Sequence, residues 1–74
     1  MTLRDARIKS GLSQKQLGAI VGISQQSLQA IETGKTGPSF QTLSKLSQVL
    51  EIPVEEIVNE VIQHSINREN KRRK

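Results

Sequence analysis

The chain has no cysteine, no tryptophan and no tyrosine, and its single aromatic residue is Phe40. Without cysteine there is no disulfide framework and no thiolate metal site, which fits a reducing cytoplasm. One aromatic ring cannot build a platform on which unpaired bases stack. No signal peptide and no apolar run long enough to span a bilayer is present, so a soluble, cytoplasmic chain without membrane contact is expected. The lone histidine, His64, has no second histidine or cysteine with which to share a metal, and a solvated side chain is the expectation. Enzyme chemistry has little to start from. No nucleophile stands with a base, no metal-ligand spacing recurs, and 74 residues leave no room for a substrate cleft, so neither catalytic residues nor a cofactor is expected.

What is present is charge, unevenly spread. The formal net charge is +4, but residues 1–45 alone carry +4, residues 46–67 carry −4, and residues 68–74 carry +4 again. The overall basicity is therefore that of the tail, and the useful signal is the asymmetry between a positive first half and an acidic stretch after it. The length gives one small domain near the lower limit for an unstapled core, and helices suit that size.

The chain is organised around residues 13–36, SQKQLGAIVGISQQSLQAIETGKT. Ser13 and Gln16 form an S-x-x-Q capping box for one helix, and Ser24 is a good N-cap for the next. Gly22 supplies the left-handed conformation that ends the first of these, and Ile23 plugs the corner behind it. Leu17 and Val21 lie one turn apart on the first helix, Leu28 and Ile31 together on the second, and Gly18 has no side chain to hold the two apart. Two short helices joined by three residues make a helix-turn-helix. The second leaves Gln25, Gln26, Gln29, Ala30 and Thr33 facing outward. A glutamine amide donates and accepts at once, so it can pair with the N7/N6 edge of adenine in the major groove. Lys35 and Thr36 follow at once, placed for a backbone phosphate. Gly34-Lys35-Thr36 also invites a P-loop reading, which fails because Gln29 stands where that motif needs its first glycine.

Around this pair the remaining elements can be placed. Thr2 and Asp5 open a first helix that ends at Gly11, with Leu3, Ala6 and Ile8 turned inward. Ser39 caps a fourth helix whose Phe40, Leu43, Leu46 and Leu50 recur at helical spacing as a core stripe, and Pro53 stops it near Leu50. A last helix opens at Pro53 or Val54 with Glu55 and Glu56 in its first turn. Val54, Ile57 and Val61 suffice to pack it, so Val58, Ile62 and Ile66 are surplus and predict a second buried surface, a dimer contact. The result is an all-α, compact five-helix bundle over residues 1–66, followed by a basic tail, 67–74, whose default is disorder.

The segment ISQQSLQAIETGKTGPSF, with the glycine-centred pattern and Glu32, Gly34 and Pro38, resembles the lambdoid phage repressor and Cro family, the Xre-type helix-turn-helix regulators, from Leu3 to about Ile57. The resemblance implies a sequence-specific, double-stranded DNA-binding transcriptional regulator, a repressor reading a palindromic operator as a homodimer. It implies base reading by Gln25, Gln26, Gln29 and Ala30, and phosphate contact or support from Ser13, Gln14, Ser27, Thr33, Lys35 and Thr36, with Gln14 bracing Gln25. It also implies an ion pair between Arg7 and Glu32. Two departures bear on readout: Ala30 replaces a further glutamine, and Ser39 replaces an arginine aimed at the minor groove after a loop one residue longer. A second reading makes protein contact the main role, as in an antitoxin that masks a toxin or a regulator inactivated by an antirepressor, using the acidic last helix and the basic tail.

Overall fold

The computed structural model describes residues 1–72, with side chains described through Asn67. The described residues form five helices and no strand: α1 (Leu3–Lys9), α2 (Gln14–Val21), α3 (Gln25–Glu32), α4 (Phe40–Leu50) and α5 (Val54–Arg72). Each of the first four starts where a hydroxyl residue can accept the bond that the opening turn cannot make internally. Thr2 accepts from the amide of Asp5, Ser13 from Gln16, Ser24 from Ser27 and Ser39 from Thr42. The boxes at Thr2 and Ser13 are reciprocal, because the Asp5 and Gln16 side chains accept in turn from the cap amides. Gly22, with φ +83°, closes α2. Glu51 closes α4 in the same left-handed region without being a glycine, and Ser47 braces that corner by donating to the Ile52 carbonyl at 2.6 Å.

Leu3, Ala6, Leu17, Val21, Leu28, Ile31, Leu46, Leu50 and Ile57 form one buried cluster, so every helix contributes to it. Helix α2 packs on α3 and α4, and α4 on α5. At the α2/α3 crossing a Cβ on Gly18 would lie 2.8 Å from the Ile23 carbonyl oxygen, a backbone atom that cannot rotate away. No helix among the described residues is long and apolar enough to cross a membrane.

Several expectations are corrected. Ile8 is 55 % exposed, because α1 buries the stripe of Leu3, Ala6 and Arg7 and Ile8 falls beside it. Phe40 is 85 % exposed. Packing against α2 and α5 turns Thr42, Leu46 and Leu50 of α4 inward, and Phe40 lies roughly a third of a turn away. Val54, the first residue of α5, stays on the rim, while Ile57 is the buried anchor of that helix. His64 is half-buried against Gly34 rather than solvated. Helix α5 is continuous to Arg72, with no proline or glycine after Pro53 to interrupt it, and so overlaps the segment read as the basic tail, 67–74. The end of that tail, Arg73 and Lys74, lies outside the described residues.

The close crossing has a measurable consequence. Gly18→Val should lower unfolding stability by about 2 to 3 kcal/mol, because a branched side chain must push the Ile23 backbone aside. Chemical denaturation measures it, and a variant as stable as the parent would contradict the contact.

Candidate nucleic-acid interface

Helix α3 divides cleanly. Leu28 and Ile31 are buried, whereas Gln25, Gln26 and Gln29 are exposed and Ala30 is half-buried. The amides therefore stand on the outer face because the apolar residues that pin the helix occupy the inner one.

The inner end of α3 is held by charge. Glu32 is buried and accepts from Arg7 at both oxygens, Nε to Oε2 at 2.7 Å and Nη2 to Oε1 at 3.2 Å. Arg7 uses a further nitrogen to donate to the Leu12 carbonyl at 2.9 Å. The forked geometry satisfies both ions where water is scarce, which is what a buried pair needs in order not to be a liability. Gln14 joins it from the start of α2, its Nε2 donating to Glu32 Oε1 at 3.1 Å. This differs from the expected brace: Gln14 bonds Glu32, and no hydrogen bond links it to Gln25. A nearby carboxylate that can only accept takes the amide's donor end in preference to another amide.

Two shallow concavities flank the outer face of α3, and Gln29 and Thr33 line both. One, of about 530 Å³, extends towards Ser13, Gln14 and Gln25 and is walled by Arg4 and Arg7. The other, of about 260 Å³, runs towards Gln26, Ala30 and Lys35. Arg4 was not singled out from the sequence. It makes no hydrogen bond or ion pair among the described residues, and its place on the first turn of α1 becomes visible only when α1 packs beside the start of α2. The i, i+3 spacing from the paired Arg7 was the available signal.

The anion-facing groups are of two kinds. At the start of α2, Ser13 and Gln16 satisfy each other's amides, leaving the amides of Gln14 and Lys15 open. At the end of α3 the reverse holds. The amide of Gly34 bonds the Ile31 carbonyl, and those of Lys35 and Thr36 both bond the Ala30 carbonyl, at 2.9 and 3.3 Å. The Thr33 hydroxyl is turned back to the Gln29 and Ala30 carbonyls. The amides of Gly34, Lys35 and Thr36 are thus spent on α3, while the Lys35 and Thr36 residues themselves are exposed. The Ser27 hydroxyl accepts from that of Ser24 at 2.9 Å, which leaves its own proton to donate, and its amide is spent on the cap. Val58 is half-buried, and Ile62 and Ile66 are 47 % and 44 % exposed along α5, well away from this face in sequence.

Comparison with known proteins gives the following. A family model described as helix-turn-helix matches residues 3–57. The chain is similar to the cryptic phage CTXphi transcriptional repressor RstR of Vibrio cholerae, 28% identical over 58 residues, 78% of this chain and 52% of that one. It is similar to the SPbeta prophage-derived uncharacterized HTH-type transcriptional regulator YonR of Bacillus subtilis, 38% identical over 48 residues, 65% of this chain and 44% of that one. An uncharacterized HTH-type transcriptional regulator of Archaeoglobus fulgidus is 29% identical over 55 residues, 74% of this chain and 79% of that one. The chain spans about half the length of the first two. No solved structure matches it with comparable significance.

Because the Arg7 and Glu32 pair is buried, removing one partner strands the other. Arg7→Met alone should cost about 3 to 5 kcal/mol, while Arg7→Met with Glu32→Leu should cost much less. Unfolding of the three proteins at neutral pH tests this, and equal losses for the single and double variants would contradict it.

Proposed function

Because the chain belongs to the Xre-type helix-turn-helix regulators, which bind DNA and regulate transcription, we propose that it represses transcription as a homodimer seated on a palindromic operator. The observation that carries this reading is the division of α3, with three amide side chains outward and two apolar ones inward. An α-helix fits the major groove, and glutamine amides suit the adenine edge found there.

In this mechanism the open amides at the start of α2 donate to a phosphate of one strand, helped by the positive end of the helix dipole and by Arg4 beside it. The Lys35 ammonium and the Thr36 hydroxyl hold a second phosphate at the far end of α3. With both ends fixed, Gln25, Gln26 and Gln29 face base edges, and the Ala30 methyl meets a thymine methyl or nothing. Ser13, Ser27 and Thr33 act as supports: Ser13 caps α2, the Ser27 amide donates to the Ser24 cap of α3, and Thr33 closes the end of α3. Ser39 offers no cation to a narrow central minor groove, so preference there is weak.

The dimer contact is assigned to the face of α5 carrying Val58, Ile62 and Ile66, supported by the exposure of two large apolar side chains that the bundle does not cover. A twofold arrangement of that kind sets half-site centres about one helical turn apart.

Selection from random duplexes should return a palindrome with that spacing. Against the selected site, Gln25→Ala should cost about 1 to 3 kcal/mol at one base pair and relax preference there, while Lys35→Ala should weaken all sequences evenly. Equal losses for both on selected and random DNA would contradict the assignment. Ile62→Asp should sediment as a monomer where the parent is a dimer, and a monomeric parent at tens of micromolar, with and without DNA, would remove the α5 contact.

A further inference from the structure

The loop that leaves α3 has a wall on one side, and that wall comes from the far end of the chain. Gly34 is buried with φ +82°, a conformation that by itself favours glycine. A Cβ there would also lie 2.5 Å from Cγ of His64, 2.6 Å from its Nδ1 and 2.8 Å from its Cβ. The imidazole occupies the space a side chain would need, so α5 and the exit of α3 are in direct contact across thirty residues of sequence. The ring's Nε2 is shielded from solvent and has no hydrogen-bond partner among the described residues, with Glu60 Oε2 at 3.5 Å. Glu60 is committed elsewhere, since its Oε1 accepts from the Leu3 amide at 2.6 Å. A line of contact therefore runs from the start of α1 through Glu60 and His64 to Gly34, and the next residues in the chain are Lys35 and Thr36.

We infer that His64 is a positioning residue for DNA binding, which acts through Gly34 to hold the phosphate-facing loop in its binding geometry. This rests on the reading of Lys35 and Thr36 as phosphate contacts. The amides of Gly34, Lys35 and Thr36 already close back onto α3, so the loop has an inner anchor, and the His64 ring is its outer one. Removing the ring opens a gap beside a glycine, the residue type with most backbone freedom to fill it. Lys35 then starts from more conformations, and binding must select among them. The loss falls on phosphate contact and not on base reading, so it is uniform across sequences. The same contact gives α5 a route to the DNA face: any partner that shifts α5 shifts the loop with it.

The test is binding of the full chain to a selected duplex and to a random one over a range of salt concentrations, with thermal unfolding to show that each variant is folded. His64→Ala and His64→Gln should each weaken binding to both duplexes by about three- to tenfold, the usual scale of coupling between touching residues. The salt dependence should become shallower by about one, as for Lys35→Ala. His64→Phe, which keeps a ring over Gly34, should restore most of the affinity. In the Lys35→Ala background the effect of His64→Ala should fall below about twofold, because both act on one contact. Parental affinity in the His64 variants, a loss that multiplies in full with Lys35→Ala, or a His64→Phe protein as weak as His64→Ala would overturn the inference. Should Lys35→Ala itself bind as the parent does, the phosphate role of the loop fails and the inference falls with it. A weak Lys35→Ala beside unaffected His64 variants strikes the inference alone.

Discussion

Three helices meet at one carboxylate. Glu32, at the end of α3, takes two bonds from Arg7 of α1 and one from Gln14 of α2, in a place from which water is largely excluded. The apolar cluster beneath brings these helices together without much regard for rotation, because dispersion and hydrophobic burial are nearly directionless. A forked ion pair is directional. It sets how α3 is rolled about its own axis, and that roll decides whether Gln25, Gln26 and Gln29 face outward together. The pair's contribution is better described as orientation than as net stability, since an apolar replacement of similar volume could hold the helices equally firmly.

Much of the architecture was legible because it is written locally. The caps at Thr2, Ser13, Ser24 and Ser39 each announce a helix start through a side chain that bonds a backbone three residues on, and Gly22 marks the end of α2 by conformation alone. The buried residues of α2 and α3 follow from the same local spacing. Phase was less legible than position. In α4 the four apolar residues at helical spacing lie within about a third of the circumference, and the contact with α2 and α5 decides that Phe40, at the edge of that arc, is the one left outside. Ile8 and Val54 fall to the same ambiguity at the edges of their stripes.

Within the candidate site, residue type was readable and partnership was not. A glutamine at position 14 could bond Gln25, a phosphate or Glu32, and the choice depends on which acceptor the fold places nearest. His64 against Gly34 is a contact between residues with no shared pattern, so neither spacing nor composition could reveal it. Arg4 likewise gains its place only from the packing of α1 beside α2. Pairs that lie far apart in the chain are settled by tertiary geometry, and they account for most of what the linear text withheld.

The way α3 ends has a bearing on how a polyanion could approach. A helix terminus of this kind carries exposed carbonyl dipoles and a partial negative charge, which would repel any phosphate drawn near by the lysine that follows. Here the chain doubles back and covers those oxygens with its own amides and with the Thr33 hydroxyl. The repulsive pole is muffled before any ligand arrives, and the cation of Lys35 is left to act against a nearly neutral background.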